Sequence, residues 1–173
     1  MFPATASGGV QDNAIDLGYS NGRFKDLYLS GGVQFGTTGA AAQNLDDYEE
    51  GTWVATAVNG CTGLSSSTTN NRYTKIGNVV HVIGEVGSFT GTDSGNLEIG
   101  GLPFAIGNGM ESAFSVLYTN IDLDSGYTQA VGYAYPNASK FRIYEVGDNV
   151  AYNAIRGDQI SSGSFIFQMT YHT

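Results

Sequence analysis

The chain has one cysteine, two histidines, three prolines and one tryptophan in 173 residues, and only seven Lys and Arg against sixteen Asp and Glu. A lone Cys61 can form no intrachain disulfide, so stability must come from packing or assembly. His81 and His172 lie too far apart to share one element, and no second cysteine exists, which excludes the usual zinc patterns and leaves no cysteine–histidine nucleophile spacing. His81 alternates with Val79 and Ile83, which reads as a half-buried histidine satisfied within a strand. A formal charge of -9 opposes binding to nucleic acid phosphates and to anionic membrane surfaces. No apolar run approaches the roughly 18 residues of a membrane-spanning helix, so no membrane insertion is expected. A helical period is also lacking: Ile106 to Glu111 is interrupted by glycines, and Ala40 to Leu45 supplies one turn at most.

What remains is a β-type chain. Hydrophobic residues make up 41%, only 13% are charged, and 25 are glycine, so the surface must be covered by Ser, Thr, Asn, Gln and Tyr. From Trp53 onward the period is close to two. Trp53, Ala55 and Ala57 oppose Val54, Thr56 and Val58, while Phe114, Val116 and Tyr118 oppose Ala113, Ser115 and Leu117. The segment 78–86 puts Val80, Val82 and Val86 on one face and Val79, His81, Ile83 and Glu85 on the other, as expected of a central strand. Leu97 to Gly100, Tyr127 to Tyr135, Lys140 to Val146 and Ser164 to His172 add further strands between turn-rich stretches. About eight strands at this spacing predict an all-β fold, an antiparallel, jelly-roll-like β-sandwich over residues 45–173.

Residues 1–44 read differently. Their large apolar side chains are chiefly Val10, Ile15, Leu17, Phe24, Leu27, Leu29, Val33 and Phe35, too few to close a core. Leu27 with Leu29, and Val33 with Phe35 after the turn-forming Gly31-Gly32, predict two short strands with narrow apolar stripes. Such stripes need a covering surface. Sister copies around a trimer axis supply one, giving a short intertwined β stalk; packing of the arm along its own head is the alternative.

Candidate chemistry is sparse. Asp46, Asp47, Glu49 and Glu50 are the weak candidates for a cation, since a hard ion takes six to eight oxygens, but their spacing matches no calcium loop, and a solvated acidic hinge is the plainer reading. Asp122 with Asp124, or Glu145 with Asp148, are carboxylate pairs of the kind that cleaves glycosidic bonds across roughly 5 to 10 Å, a pattern that also arises by chance in an acidic chain. No catalytic residue is assigned, no cofactor is implied, and the chain is expected not to be an enzyme. The glycine pairs 31–32 and 100–101 precede no helix and read as turns rather than phosphate loops. Eleven tyrosines are more informative. A tyrosine offers a flat apolar face and a hydroxyl, which suits a sugar ring. Tyr127, Tyr133 and Tyr135 are expected on one strand face with Asp122, Asp124 and Asn137 around it, a candidate receptor-binding surface; a core or subunit-interface role for these tyrosines is the alternative. Loops 65–71 and 90–96 are competing contact tips.

Four stretches then stand out in order: Arg23-Phe24-Lys25-Asp26-Leu27-Tyr28-Leu29-Ser30-Gly31-Gly32, Leu45-Asp46-Asp47-Tyr48-Glu49-Glu50-Gly51-Thr52-Trp53, Arg72-Tyr73-Thr74-Lys75-Ile76-Gly77-Asn78 and Gly101-Leu102-Pro103-Phe104. With them the chain resembles the C-terminal region of bacteriophage tail fibre and receptor-binding proteins. The resemblance implies a homotrimeric fibre tip on a virion, joined to other tail proteins through its N-terminal segment, whose distal domain adsorbs to a host-surface glycan or outer-membrane protein. It identifies no receptor-contacting residue. The opening Met1-Phe2-Pro3-Ala4-Thr5-Ala6 has neither the basic start nor the apolar stretch of a secretion signal, which fits release by lysis and is equally the default for a cytosolic protein. A purely structural virion role, as decoration or adaptor, is the second reading, and a glycan-cleaving tailspike-type enzyme the third.

Overall fold

The computed structural model describes residue 8 and residues 16–34, 44–45, 47–67, 69–160 and 162–173. The chain divides into two compact units, Met1–Gly32 and Val33–Thr173, and the junction expected after residue 44 falls inside the second.

In the first unit Tyr19 and Gly22 exchange two backbone hydrogen bonds of 3.1 and 3.0 Å, closing a tight turn. Leu17, Tyr19, Phe24, Leu27, Tyr28 and Leu29 are all exposed, between 53% and 89%. The strand expected at Leu27 and Leu29 does not form. Across the glycine pair, Val33–Gln34 (β1) pairs instead with Asn44–Leu45 (β2). Val10, Ile15 and Phe35 lie outside the described residues.

The second unit is built on antiparallel strands. After β1 and β2 come β3 (Tyr48–Thr52), β4 (Thr56–Asn59), β5 (Gly63–Ser66), β6 (Arg72–Ile76), β7 (Val79–Thr90) and β8 (Glu98–Gly100). They are followed by β9 (Ser112–Thr119), β10 (Gln129–Ala134), β11 (Lys140–Val146), β12 (Asn153–Ala154) and β13 (Ser164–His172). β3 to β13 form one 11-stranded sheet in the order β3-β6-β7-β13-β9-β10-β11-β8-β4, with β5 on β7 and β12 on β11. The described residues hold no α-helix, only a 3-10 turn at Gly157–Gln159.

Alternation decides which way each strand faces. In β7, Val80, Val82 and Val86 are buried, and the strand is central, flanked by β13 on one edge and by β6 then β5 on the other. His81 points outward and is exposed rather than half-buried, its Nδ1 3.0 Å from Thr170 Oγ1. β13 buries Phe165, Phe167, Met169 and Tyr171, and β11 buries Phe141 and Ile143.

The sheet is curled into a half-barrel. The hinge of the curl is β9, whose Ser112–Ser115 half pairs with β10 and whose Val116–Thr119 half pairs with β13. Curling brings Phe141 of one half against Phe167 of the other, with ring centroids 5.0 Å apart, and Phe114 of β9 lies 5.5 and 5.2 Å from these two. Each such side chain contributes roughly 1.5 to 3 kcal/mol by leaving water. The consecutive strands β4 and β5 pair with β8 and β7 respectively, so a short loop ties the two margins of the curl together.

Three of the four stretches singled out in the sequence meet in this unit. Lys75 of β6 is buried, pairs with Asp47 and sits 5.5 Å above the Phe104 ring. Tyr73 donates to Glu49 at 2.6 Å and meets Phe104 edge to face at 5.5 Å. Phe104 is held from behind by Tyr171, whose hydroxyl donates to the Phe104 carbonyl at 3.1 Å. Gly101 opens this segment at φ +89, where a Cβ would strike the Val54 carbonyl, so only glycine lets the chain turn into the clasp. Trp53 closes the stretch 45–53 by entering the core and donating its indole N–H to the Ile83 carbonyl at 2.9 Å. These stretches therefore form a structural clasp across β3, β6 and the segment after β8.

Candidate functional site

Because β10 and β11 are joined by a short turn, their outward side chains come side by side. Val131 pairs with Tyr144, and Tyr133 with Arg142. On β8, Glu98 pairs with Arg142. A polar and aromatic surface results on the face opposite the core.

Glu98 organises one half of it. Its side chain is only 7% exposed, yet it receives Lys140 at 2.7 Å, the Arg142 guanidinium and the Tyr135 hydroxyl at 2.9 Å. Burial pushes the Glu98 carboxyl up, but these three donors outweigh it and hold the group below the usual glutamate range. Lys140 and Arg142 also lie 5.6 and 5.5 Å from the Tyr135 ring, so that ring is already faced by two cations.

The other half is a cleft of about 330 Å³ lined by Glu111, Ala113, Val131, Gly132, Tyr133, Tyr144, Val146 and Tyr152. Tyr133 stacks on Tyr135 at 6.0 Å and meets Tyr144 at 80° and 5.9 Å. Tyr144 meets Tyr152 at 87° and 5.3 Å. The Glu111 carboxylate beside it, with burial, pushes the Tyr133 hydroxyl up to about 12. Gly132 closes the floor: a Cβ there would drive into the Phe114 ring, so glycine lets the core aromatic pack directly beneath the cleft.

The structure brings Tyr133 and Tyr135 together but sends the other expected residues elsewhere. Tyr127 precedes β10 and donates to the Ala151 carbonyl at 2.9 Å, bracing the segment that carries Tyr152. Asp122 and Asp124 are expected beside the tyrosine strand face, yet residues 121–128 form no strand. Their backbone bonds go to Gln159 and to Glu145 rather than to a ladder. The Asp124 side chain pairs with Arg156 at 2.9 Å, and this hydrogen bonding holds its carboxyl below the usual range. Asn137 occupies a turn at φ 59 with its amide 3.1 Å from Asn108 Oδ1.

The remaining carboxylates are engaged structurally. Glu145 is fully buried and accepts from the Asp124 backbone, Asn153 and Gln159 at 2.9, 3.0 and 3.4 Å, whereas Asp148 is exposed in a turn. Of the candidate cation ligands, Asp47 pairs with Lys75, Glu49 accepts from Tyr73, and Glu50 accepts from Tyr48 at 2.9 Å. Asp46 lies outside the described residues. Among the described residues no group of three or more His, Cys, Asp and Glu is placed to hold a metal ion.

No family model, curated protein or solved structure matches this chain.

The expected contact tips are also partly structural. Ser65 and Ser66 belong to β5, and Asn71 is fully buried, its amide donating to Ser66 at 2.8 Å and its Oδ1 accepting from the Glu85 backbone at 2.6 Å. In the 90–96 loop the Asp93 backbone is tied to Gly60 and Asp158. Sequence reasoning missed Tyr144, Tyr152 and Glu111. Period two already places Tyr144 on one face with Lys140 and Arg142; its position beside Tyr133 depends on the β10–β11 pairing.

Proposed function

We propose that this chain is a virion tail fibre component that trimerises through its first unit and binds a host-surface saccharide through the tyrosine face of β10 and β11. The curled sheet is read as the sandwich-like head, and the motif-bearing stretches as its structural clasp. The observation that carries the binding role is the run of aromatic rings Tyr135, Tyr133, Tyr144 and Tyr152 along one outer face, where solvent-facing tyrosines offer flat surfaces to sugar rings. The trimer reading is supported by the exposed Leu17, Phe24, Leu27 and Leu29 of the first unit. The engaged state of Glu145, Asp124 and Glu98 favours binding over hydrolysis.

An array of purified bacterial surface polysaccharides, probed with labelled wild-type protein and with Tyr133→Ala, tests this reading. Expected is a subset of positive glycans whose signal falls at least tenfold in the variant. A silent array, together with virions that adsorb normally when they lack the protein, would move the assignment to a purely structural role. Reducing ends released from a bound glycan would move it to the enzyme reading.

A further inference from the structure

The three rings of the cleft are arranged for more than stacking. Tyr133 and Tyr144, then Tyr144 and Tyr152, meet edge to face near right angles, so the three rings line one cleft from different directions. That space has apolar walls in Val131 and Val146 and a single carboxylate, Glu111. A second feature of the same face shows what such rings take: Tyr135, one residue pair along, is faced by Lys140 and Arg142 at cation–π distance. Among the described residues, no internal cation sits over Tyr133, Tyr144 or Tyr152. Three tyrosine rings and one carboxylate, Glu111 beside the Tyr133 hydroxyl, thus line one cleft within a chain whose formal charge is -9.

We propose that this cleft binds a quaternary ammonium group of the choline type. A cation over a tyrosine face is attracted by the ring quadrupole, and rings enclosing it from several sides add their attractions while keeping water out. The apolar walls select the type of cation. A primary ammonium is strongly hydrated and gives up that water only for three well-placed acceptors; methylated nitrogen asks for none and its methyl groups fit valine and tyrosine surfaces. Glu111 then balances the charge from the rim. The inference deepens the adsorption reading and rests on it only for where the ligand is displayed: as a choline phosphate substituent on a surface glycan.

Calorimetric titration of the full chain with choline chloride tests the chemistry, with 3,3-dimethylbutan-1-ol as the neutral isostere. Expected is saturable binding of choline and at least tenfold weaker binding of the isostere, the discrimination that about 1 to 2 kcal/mol of cation–π attraction gives. Tyr144→Ala should weaken choline about tenfold, Tyr144→Phe should restore it to within about threefold because the ring face is kept, and Glu111→Gln should cost a few fold. Equal binding of choline and its isostere, no choline binding, or full retention in Tyr144→Ala would each overturn the proposal. Choline phosphate on a glycan and phosphatidylcholine vesicles are compared as separate arms; capture by vesicles alone would overturn the glycan assignment. The two readings fail separately. Tyr133-dependent binding to choline-free polysaccharide with no choline binding sinks the ammonium cleft and leaves adsorption standing, while choline binding with a silent array does the reverse.

Discussion

Glu98 shows how one side chain can hold a surface together. A carboxylate that is only 7% exposed loses most of its hydration, and it is tolerated here because two cations and a hydroxyl replace the lost water. Lys140 and Arg142 keep about a third of their own surface in solvent, at 33% and 31%. Glu98→Gln keeps the shape and removes the charge, so it should cost roughly 3 kcal/mol, the lower end for breaking a buried pair, because the cations left behind can still be partly hydrated. The pH dependence has a definite sign. The folded carboxyl lies below its ordinary value of 4.5, so its contribution is complete above that value and is lost as pH falls through the folded pKa. Urea midpoints of wild type and variant should therefore differ most near neutrality and converge below about pH 4.5; a gap that persists unchanged into acid would show that Glu98 does not titrate with its partners.

At the scale of elements, the clasp of β3, β6 and the segment after β8 explains why these stretches have the composition they do. Phe104 lies some thirty residues beyond Tyr73 and Lys75 in sequence and packs against both in space. Phe104→Ala should destabilise by about 2 kcal/mol, less than a fully buried phenylalanine because the ring is only half-buried. In a double-mutant cycle with Tyr73→Ala the two should couple by about 1 kcal/mol, read from urea unfolding; additivity within experimental scatter would mean that the edge-to-face pair does no more than fill space. Much at this scale was legible beforehand. The expected strands 140–146 and 164–172 coincide with β11 and β13, and the inward set Val80, Val82, Phe114 and Trp53 was readable because a half-buried strand repeats every two residues. Neighbour relations were not. Nothing local in Glu98 announces Lys140 or Arg142, and β13 lies between β7 and β9 although it is the last strand of the chain. Asp122 and Asp124 misled for a related reason: Ile121 and Leu123 alternate with them as in a strand, but Gln159 and Glu145 take up their backbone bonds before any ladder can form.

For the whole molecule, the decisive quantity is the number of copies. Leu27 and Leu29 are 63% and 53% exposed, so an association that covers them adds stability by removing apolar surface from water. Light scattering should return a mass near three times 18.2 kDa, and Leu27→Asp combined with Leu29→Asp should return a single chain with an unchanged far-ultraviolet spectrum. A wild-type mass of one chain would remove the reason for reading the first unit as a shared stalk. Assembly also sets how strongly a weak site can act. A cleft that holds one small cation binds it only modestly, but three clefts on one rigid assembly, meeting a surface that repeats its ligand, gain a factor of roughly 10² to 10⁴ from the raised effective concentration. The aspartate variant should therefore bind choline in solution as well as wild type does, while its retention on a choline phosphate surface falls by at least about a hundredfold. Equal retention of the two forms would show that each head acts alone, and the exposed leucines would need another partner.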